Sequence, residues 1–222
     1  MTTTFVLVHG AWHRPSTFDL LRAELDALGH PSTTVNLPTA GPDPRGGLAE
    51  DAAAVRAAIE AVEGPVAVLA HSYGGIPVTQ GAAGLANVQH LIYLAAYVPD
   101  TGESMFTIHG IPDPEDTDGL FPIGDDPRAQ LYADVPGPLA EQAIADLVEQ
   151  RVQPWVDRVS AAAWHTIPSA YIVTEQDASL PVDLQEKMSA HTKQVRRMAA
   201  SHSPFLSQPA ELAALLKEIV GH

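Results

Sequence analysis

The sequence has no cysteine. That excludes a disulfide framework and any metal site built on thiolates. It fits a reducing compartment, and a cytoplasmic location is the expectation. Positive charge is scarce: 12 Lys and Arg stand against 27 Asp and Glu, a net charge of −15. Such a surface repels phosphate backbones and anionic membranes, so neither a nucleic acid nor a membrane is an expected partner. Long apolar runs are missing as well, and none approaches the length that crosses a bilayer. The start, Met1-Thr2-Thr3-Thr4-Phe5, lacks the charged and apolar regions of a signal peptide. Ten histidines are present, but no H-E-x-x-H or similar spacing, so no metal and no cofactor are expected. No internal repeat is evident.

What is present suits one α/β domain with a sizeable core rather than two domains: 222 residues, 45% of them hydrophobic. The chain is organised around Val66-Ala67-Val68-Leu69-Ala70-His71-Ser72-Tyr73-Gly74-Gly75. An apolar run rich in Val and Leu reads as a strand buried on both faces. A polar pair interrupts it, two glycines come next, and Ile76 to Leu85 reads as a helix of small residues. A strand turning this sharply into a helix, with serine at the apex, is the nucleophile-elbow arrangement. The serine must be thrown clear of the sheet on a strained backbone, so small residues must flank it. The usual pattern is G-x-S-x-G; here alanine, Ala70, occupies its first slot and Gly74 its last.

Strands and helices alternate around this stretch. Thr4–Val8 is a buried strand ending at His9-Gly10-Ala11-Trp12. Ser16 reads as the N-cap of a helix carrying Phe18, Leu21, Leu25 and Leu28, closed by Gly29. Thr33–Leu37 is a second strand, followed by a Pro/Gly-rich loop. Leu48, Ala52, Val55, Ile59 and Val62 then make one helix face. After the elbow, a fourth strand holds Leu91–Leu94, a fifth Ala170–Val173, and a weaker one Gln194–Ala199, whose charges suit a sheet edge. A helix from Pro181 and a last helix over Gln208–Val220 complete the pattern. Strands alternating with helices predict about six mainly parallel strands with helices on both faces.

The rhythm lapses over 98–165. Prolines, glycines and aspartates crowd the stretch from Pro99 to Pro138. Beyond it, Ile144, Leu147, Val148 and Val152 mark a helix starting near Pro138, and Trp155 and Trp164 bracket another short helical stretch. A long unpatterned segment inside a domain is usually a lid or functional loop. Residues 1–97 and 166–222 are therefore expected to form the core, and 98–165 a small inserted cap.

Reactive groups in open parallel sheets gather at the carboxyl ends of the strands. Ser72 comes after the third strand, Asp177 after the fifth and His202 after the sixth. A serine hydroxyl needs a base; His202 would take its proton and pass it to the leaving group. Asp177 would hold the imidazole tautomer and stabilise the imidazolium. The N–H groups of Tyr73 and Ala11 would bind the negative oxygen formed on attack. Asp100, after the fourth strand, is the competing acid, although the order Ser, Asp, His favours Asp177. His71 and His9 read as supports for their loops. Trp12, Phe106, Trp155 and Phe205 either line a pocket or pack in core and lid.

Phe5-Val-Leu-Val-His-Gly-Ala-Trp12, Ala70-His-Ser-Tyr-Gly-Gly75, Thr174-Glu-Gln-Asp177 and His202-Ser-Pro-Phe205 together resemble the α/β-hydrolase superfamily. More narrowly, they resemble its branch of plant methylesterases, hydroxynitrile lyases and bacterial esterase relatives. The resemblance spans nearly the whole chain, and it implies an α/β-hydrolase fold and a cofactor-independent serine esterase with the residues just named. It also implies an acyl-enzyme intermediate on a small neutral carboxylic ester. Lyases of that branch carry threonine where this chain has Gly10, and lysine where it has Ser203; both differences favour hydrolysis. A non-hydrolytic ligand-binding protein or a lyase on the same scaffold is the alternative. A homodimer is a fair default, and the ester itself is not readable from the sequence.

Overall fold

A computed structural model describes residues 2–221. In chain order the strands are β1 (Thr4–Val8), β2 (Ser32–Val35), β3 (Ala40–Gly41), β4 (Val66–His71), β5 (Val88–Leu94), β6 (Glu149–Gln150), β7 (Ser169–Thr174) and β8 (Gln194–Met198). Six of them form one sheet in the order β2-β1-β4-β5-β7-β8, and every pairing in it is parallel. The helices are α1 (Asp19–Ala27), α2 (Leu48–Glu60), α3 (Gly75–Gly81), α4 (Met105–Ile108), α5 (Pro127–Leu131), α6 (Gly137–Ala145), α7 (Gln153–Val156), α8 (Val182–Ser189), α9 (Pro204–Ser207) and α10 (Pro209–Val220).

Strand side chains alternate between faces, and each face feeds its own apolar cluster. Val6, Val8, Val68, Leu91, Tyr93 and Tyr171 pack with α2 and α3 on one side. Phe5, Leu7, Leu69, Ile92, Leu94 and Ile172 pack with α1, α9 and α10 on the other. Every residue of β4 and β7 is buried, as expected of central strands covered on both faces. β8 alternates between partly and fully exposed positions until Met198 and has one neighbour, as its charges suggested. The registers pair Val8 with Ala70, His71 with Leu94 and Thr174 with Met198. The loops after β1, β4, β7 and β8 therefore leave from one rim of the sheet.

Local expectations fail in five places, one of them between Trp155 and Trp164, where the chain is not helical from the end of α7 at Val156 to a 3-10 turn at Ala163–His165. Ser16 is not an N-cap: Pro15–Phe18 forms a 3-10 turn, and α1 starts only at Asp19. The elbow begins with a 3-10 turn, Ser72–Gly74, and α3 ends at Gly81 rather than Leu85, because Gly84 turns the chain at φ +76°. The helix expected through Val152 stops at Ala145. Beyond it the Val148 N–H donates to the Trp12 carbonyl, and Glu149–Gln150 pairs antiparallel with Ala40–Gly41, so long-range pairing overrides helical spacing. The stretch from Pro99 to Pro138 is not bare loop: Ser104 caps α4, and Asp126 caps α5. No helix among the described residues is long and apolar enough to cross a membrane.

Candidate active site

β4 runs directly into Ser72, whose φ of 52° lies in the left-handed region that non-glycine residues avoid. The crowding around it explains the glycines. A Cβ on Gly74 would lie 2.6 Å from the His9 carbonyl oxygen, and one on Gly75 would run into the Tyr97 carbonyl. Ala70 is buried in the body of β4, where its methyl group is accommodated. Ser72 is partly exposed and opens onto a cleft of about 370 Å³.

Asp177 and His202 meet at the same rim. His202 Nδ1 lies 2.7 Å from Asp177 Oδ2, with both side chains buried. The carboxylate receives five hydrogen bonds: from His202, the Thr174 hydroxyl, the Gln185 amide and the N–H groups of Ser179 and Leu180. Burial pushes its pKa up, but His202 and these donors outweigh burial and hold it below the usual carboxylate value. With Nδ1–H committed to Asp177, a neutral His202 carries its lone pair on Nε2. Among the described residues, no hydrogen bond joins Ser72 Oγ to that nitrogen. The acid–base link is closed and the base–nucleophile link open; such bonds often tighten only around substrate. Asp100, the competing acid, bonds His165 on the exposed surface instead, at 2.8 Å.

The loop carrying His202 is held from two sides. His71 Nε2–H donates to the His202 carbonyl at 2.9 Å, and the two rings lie 4.6 Å apart. Asp134 accepts from Ser201 N–H and from the hydroxyls of Ser201 and Ser207. Burial, with His202 and His13 nearby, keeps the His71 pKa well below its usual value, so it stays neutral beside the candidate base. His9 supports its own turn, donating to the Gly10 carbonyl at 2.8 Å. His13 Nδ1–H donates to the Ala11 carbonyl at 2.6 Å, and its Nε2 contacts the Tyr132 hydroxyl at 2.9 Å. Burial lowers its pKa to about 3. Neither the Ala11 nor the Tyr73 N–H donates to a protein acceptor among the described residues. Asp134 and His13 act over long sequence separations, and nothing local in the sequence marks them.

Trp12 and Trp155 line the cleft with Ser72, Tyr97, His109 and Phe121. Phe121 stacks on Trp155 at 4.1 Å, and Trp12 donates its indole N–H to the Phe121 carbonyl. Phe106 is absent from the wall and sits behind Phe121, ring centres 6.3 Å apart. Phe205 is also absent: it is fully buried between Phe18 and His71, at 5.0 and 4.8 Å. The first turn of α9 points it into the sheet rather than the cleft. Tyr97 and His109, which the sequence did not single out, bond each other at 2.8 Å in the cleft wall. A separate cavity of about 250 Å³ beside His13 and Tyr132 touches none of Ser72, Asp177 or His202. Among the described residues, no group of three or more His, Asp or Glu side chains could hold a metal ion.

Comparison with known proteins gives a consistent picture. The pattern of the alpha/beta hydrolase family matches residues 5–215. Probable hydrolase R7 from a Phoma species is 29% identical over 243 residues, covering all of both chains. Methylesterase 7 from Arabidopsis thaliana is 27% identical over 251 residues, covering 97% of this chain and 95% of its own. Among solved structures, polyneuridine aldehyde esterase superposes with a TM-score of 0.86 at 20% identity, covering 99% of this chain and 100% of its own. At that identity the likeness is one of fold.

Proposed function

This chain belongs to the alpha/beta hydrolase family, and from that premise we propose that it is a serine esterase acting on small neutral carboxylic esters. Ser72 is the nucleophile, His202 the general base and then acid, and Asp177 the group that fixes His202. The observation that carries the reading is the buried 2.7 Å contact from His202 Nδ1 to Asp177, at the rim where Ser72 stands on a strained turn. In the first half-reaction Ser72 Oγ bonds to the ester carbonyl carbon as His202 Nε2 takes its proton. The Ala11 and Tyr73 N–H groups receive the oxyanion. The tetrahedral intermediate collapses, the alkoxide leaves with the proton from His202, and an acyl-serine remains. Water, deprotonated by the same nitrogen, releases the carboxylic acid and restores the serine.

Segment 98–165 serves as the cap. It supplies His109, Phe121 and Trp155 to the cleft wall, which contains no charged side chain among its lining residues. A neutral, partly apolar ester suits such a wall. The relatives named hydrolases and esterases support the same reaction class.

The test is a panel of esters graded in acyl and alcohol size, read for burst release of alcohol. The wild type should show a burst, and a serine-directed organophosphate should label Ser72 at one equivalent. Ser72→Ala should lose at least about 10³-fold in kcat. Retained turnover in that variant would overturn the assignment.

A further inference from the structure

One buried carboxylate beneath the cleft has no part in that mechanism. Asp51, on α2, is fully buried, and no Lys, Arg or His among the described residues forms an ion pair with it. Its partners are neutral. Oδ2 accepts the hydroxyls of Tyr73 and Thr39, each at 2.6 Å, and Oδ1 accepts the Thr39 N–H at 3.1 Å. Thr39 Oγ1 in turn accepts the Gln150 amide at 2.7 Å. The other end of that amide, Oε1, accepts the Trp12 N–H over a long 3.4 Å. The chain of contacts therefore begins on the elbow and ends on the turn after β1. These are the two loops that carry the oxyanion donors.

Both loops are strained. Trp12 has φ 60° and Ser72 φ 52°, each directly beside a donor. Such conformations persist only where the surroundings over-determine them. Around the first donor, the peptide joining Ala11 to Trp12 is gripped at both ends: His13 holds its carbonyl and Gln150 its N–H. Around the second, the Tyr73 ring is stacked on Trp155 at 5.4 Å while Asp51 holds its hydroxyl. An oxyanion hole requires both donors within hydrogen-bond distance of one oxygen, so the two loops must be fixed relative to each other and not only singly.

We propose that Asp51, Thr39 and Gln150 form a positioning unit that keeps the Ala11 and Tyr73 N–H groups in register across the oxyanion hole. The proposal rests on the esterase reading above. Thr39 is its junction, because its hydroxyl donates to Asp51 and accepts from Gln150. Gln150 lies on β6, within 98–165, so the seating of that segment bears directly on oxyanion geometry.

The experiment centres on Thr39→Val, which removes the junction hydroxyl with little change of shape, and Thr39→Ser, which restores it. With p-nitrophenyl acetate as probe, Thr39→Val should lower kcat about 10- to 100-fold with KM within about twofold, the signature of misplaced transition-state donors. Thr39→Ser should recover most of that loss. In ¹⁵N–¹H spectra the Ala11 and Tyr73 amide signals should both move in Thr39→Val, although neither N–H touches Thr39. Gln150→Leu, at the end of the unit, guards against a misfolded Thr39→Val; its Tyr73 signal should move as well. A folded Thr39→Val with kcat within twofold of wild type, or amide shifts confined to the direct neighbours of the changed residue, would overturn the proposal. If the wild type hydrolyses no ester, the esterase reading falls, and the amide shifts alone decide the unit.

Discussion

The rim of the sheet and the acidic stretch 113–126 of the 98–165 segment both carry carboxylates, in opposite settings. At the rim, Asp177 and Asp51 have buried side chains, and each meets several donors, some from its own turn and some from neighbouring elements. In the segment, Asp113, Glu115, Asp116, Asp118, Asp125 and Asp126 are exposed. Such contacts as they make are single local bonds, as the Ala129 N–H donating to Asp126, or surface ion pairs such as Asp113 with Arg158. A buried carboxylate without donors is costly, so its surroundings are forced into one geometry. An exposed one is solvated and screened, and it shapes only the field that an approaching molecule meets. Chemistry is therefore expected where carboxylates are over-determined, and selection where they are free.

The sharpest way to break that contrast is Asp177→Asn. The amide keeps the size of the side chain but cannot hold the His202 tautomer with its lone pair on Nε2. A fall in kcat of about 10³- to 10⁴-fold is expected, with KM little changed. Steady-state kinetics on any ester that the wild type turns over will show it. A loss below tenfold would mean that the rim is not where catalysis resides.

Most of this rim is legible in the sequence, for a physical reason. Buried parallel strands read as apolar runs bounded by Gly and Pro, and their C-terminal ends all lie along one edge of the sheet. Ser72 and Asp177 can be picked out because each stands just past such a run; His202 is marked instead by its place between the weak edge strand β8 and the last helices. Asp51 cannot: an acid on a helix with an apolar stripe reads as solvent-facing, and only the tertiary structure shows that it points inward. The pairing of Ala40–Gly41 with Glu149–Gln150 is two residues long, too short for any period, and it cuts a helix that spacing alone would extend. Phe106 and Phe205 fail as pocket residues because an aromatic side chain signals burial without direction. Inside 98–165 two signals were present in the sequence: Ser104 with Thr107 as a capping box, and Asp126 before Pro127 at a helix start.

The two rim carboxylates should themselves differ in acid. The Asp177 pKa is held below its usual value, so its stabilising contribution is present at neutral pH and lost as pH falls through that lowered pKa. Burial, only partly offset by Thr39 and Tyr73, pushes Asp51 up to about 6. The folded state then binds a proton more tightly than the unfolded chain, and stability is lost as pH rises from about 4 through 6. A shift of that size corresponds to roughly 2–3 kcal/mol. Urea unfolding at several pH values should show wild-type stability falling relative to Asp51→Asn by that amount between pH 4 and pH 7. A constant difference would mean that Asp51 is not a raised carboxyl.

The exposed carboxylates should produce the smallest effect, and one of another kind. Glu115 and Asp125 are exposed in the segment whose Ile111, Phe121 and Gly124 line the cleft. Neither is among the residues that line it, and the chain carries a net charge of −15. Replacing both by lysine changes the local charge by four units while leaving the rim geometry intact. For a neutral ester, kcat/KM should stay within about twofold, since a field does no net work on an uncharged substrate. For an ester bearing a remote carboxylate, kcat/KM should rise about two- to fivefold at low salt, through association rather than kcat. The gain should fade as added salt shortens the screening length to about 3 Å near 1 M. Stopped-flow rates for the two esters across a salt series separate these cases. A change in kcat for the neutral ester would show that the segment's carboxylates reach into the chemistry, and the division between the two regions would fail.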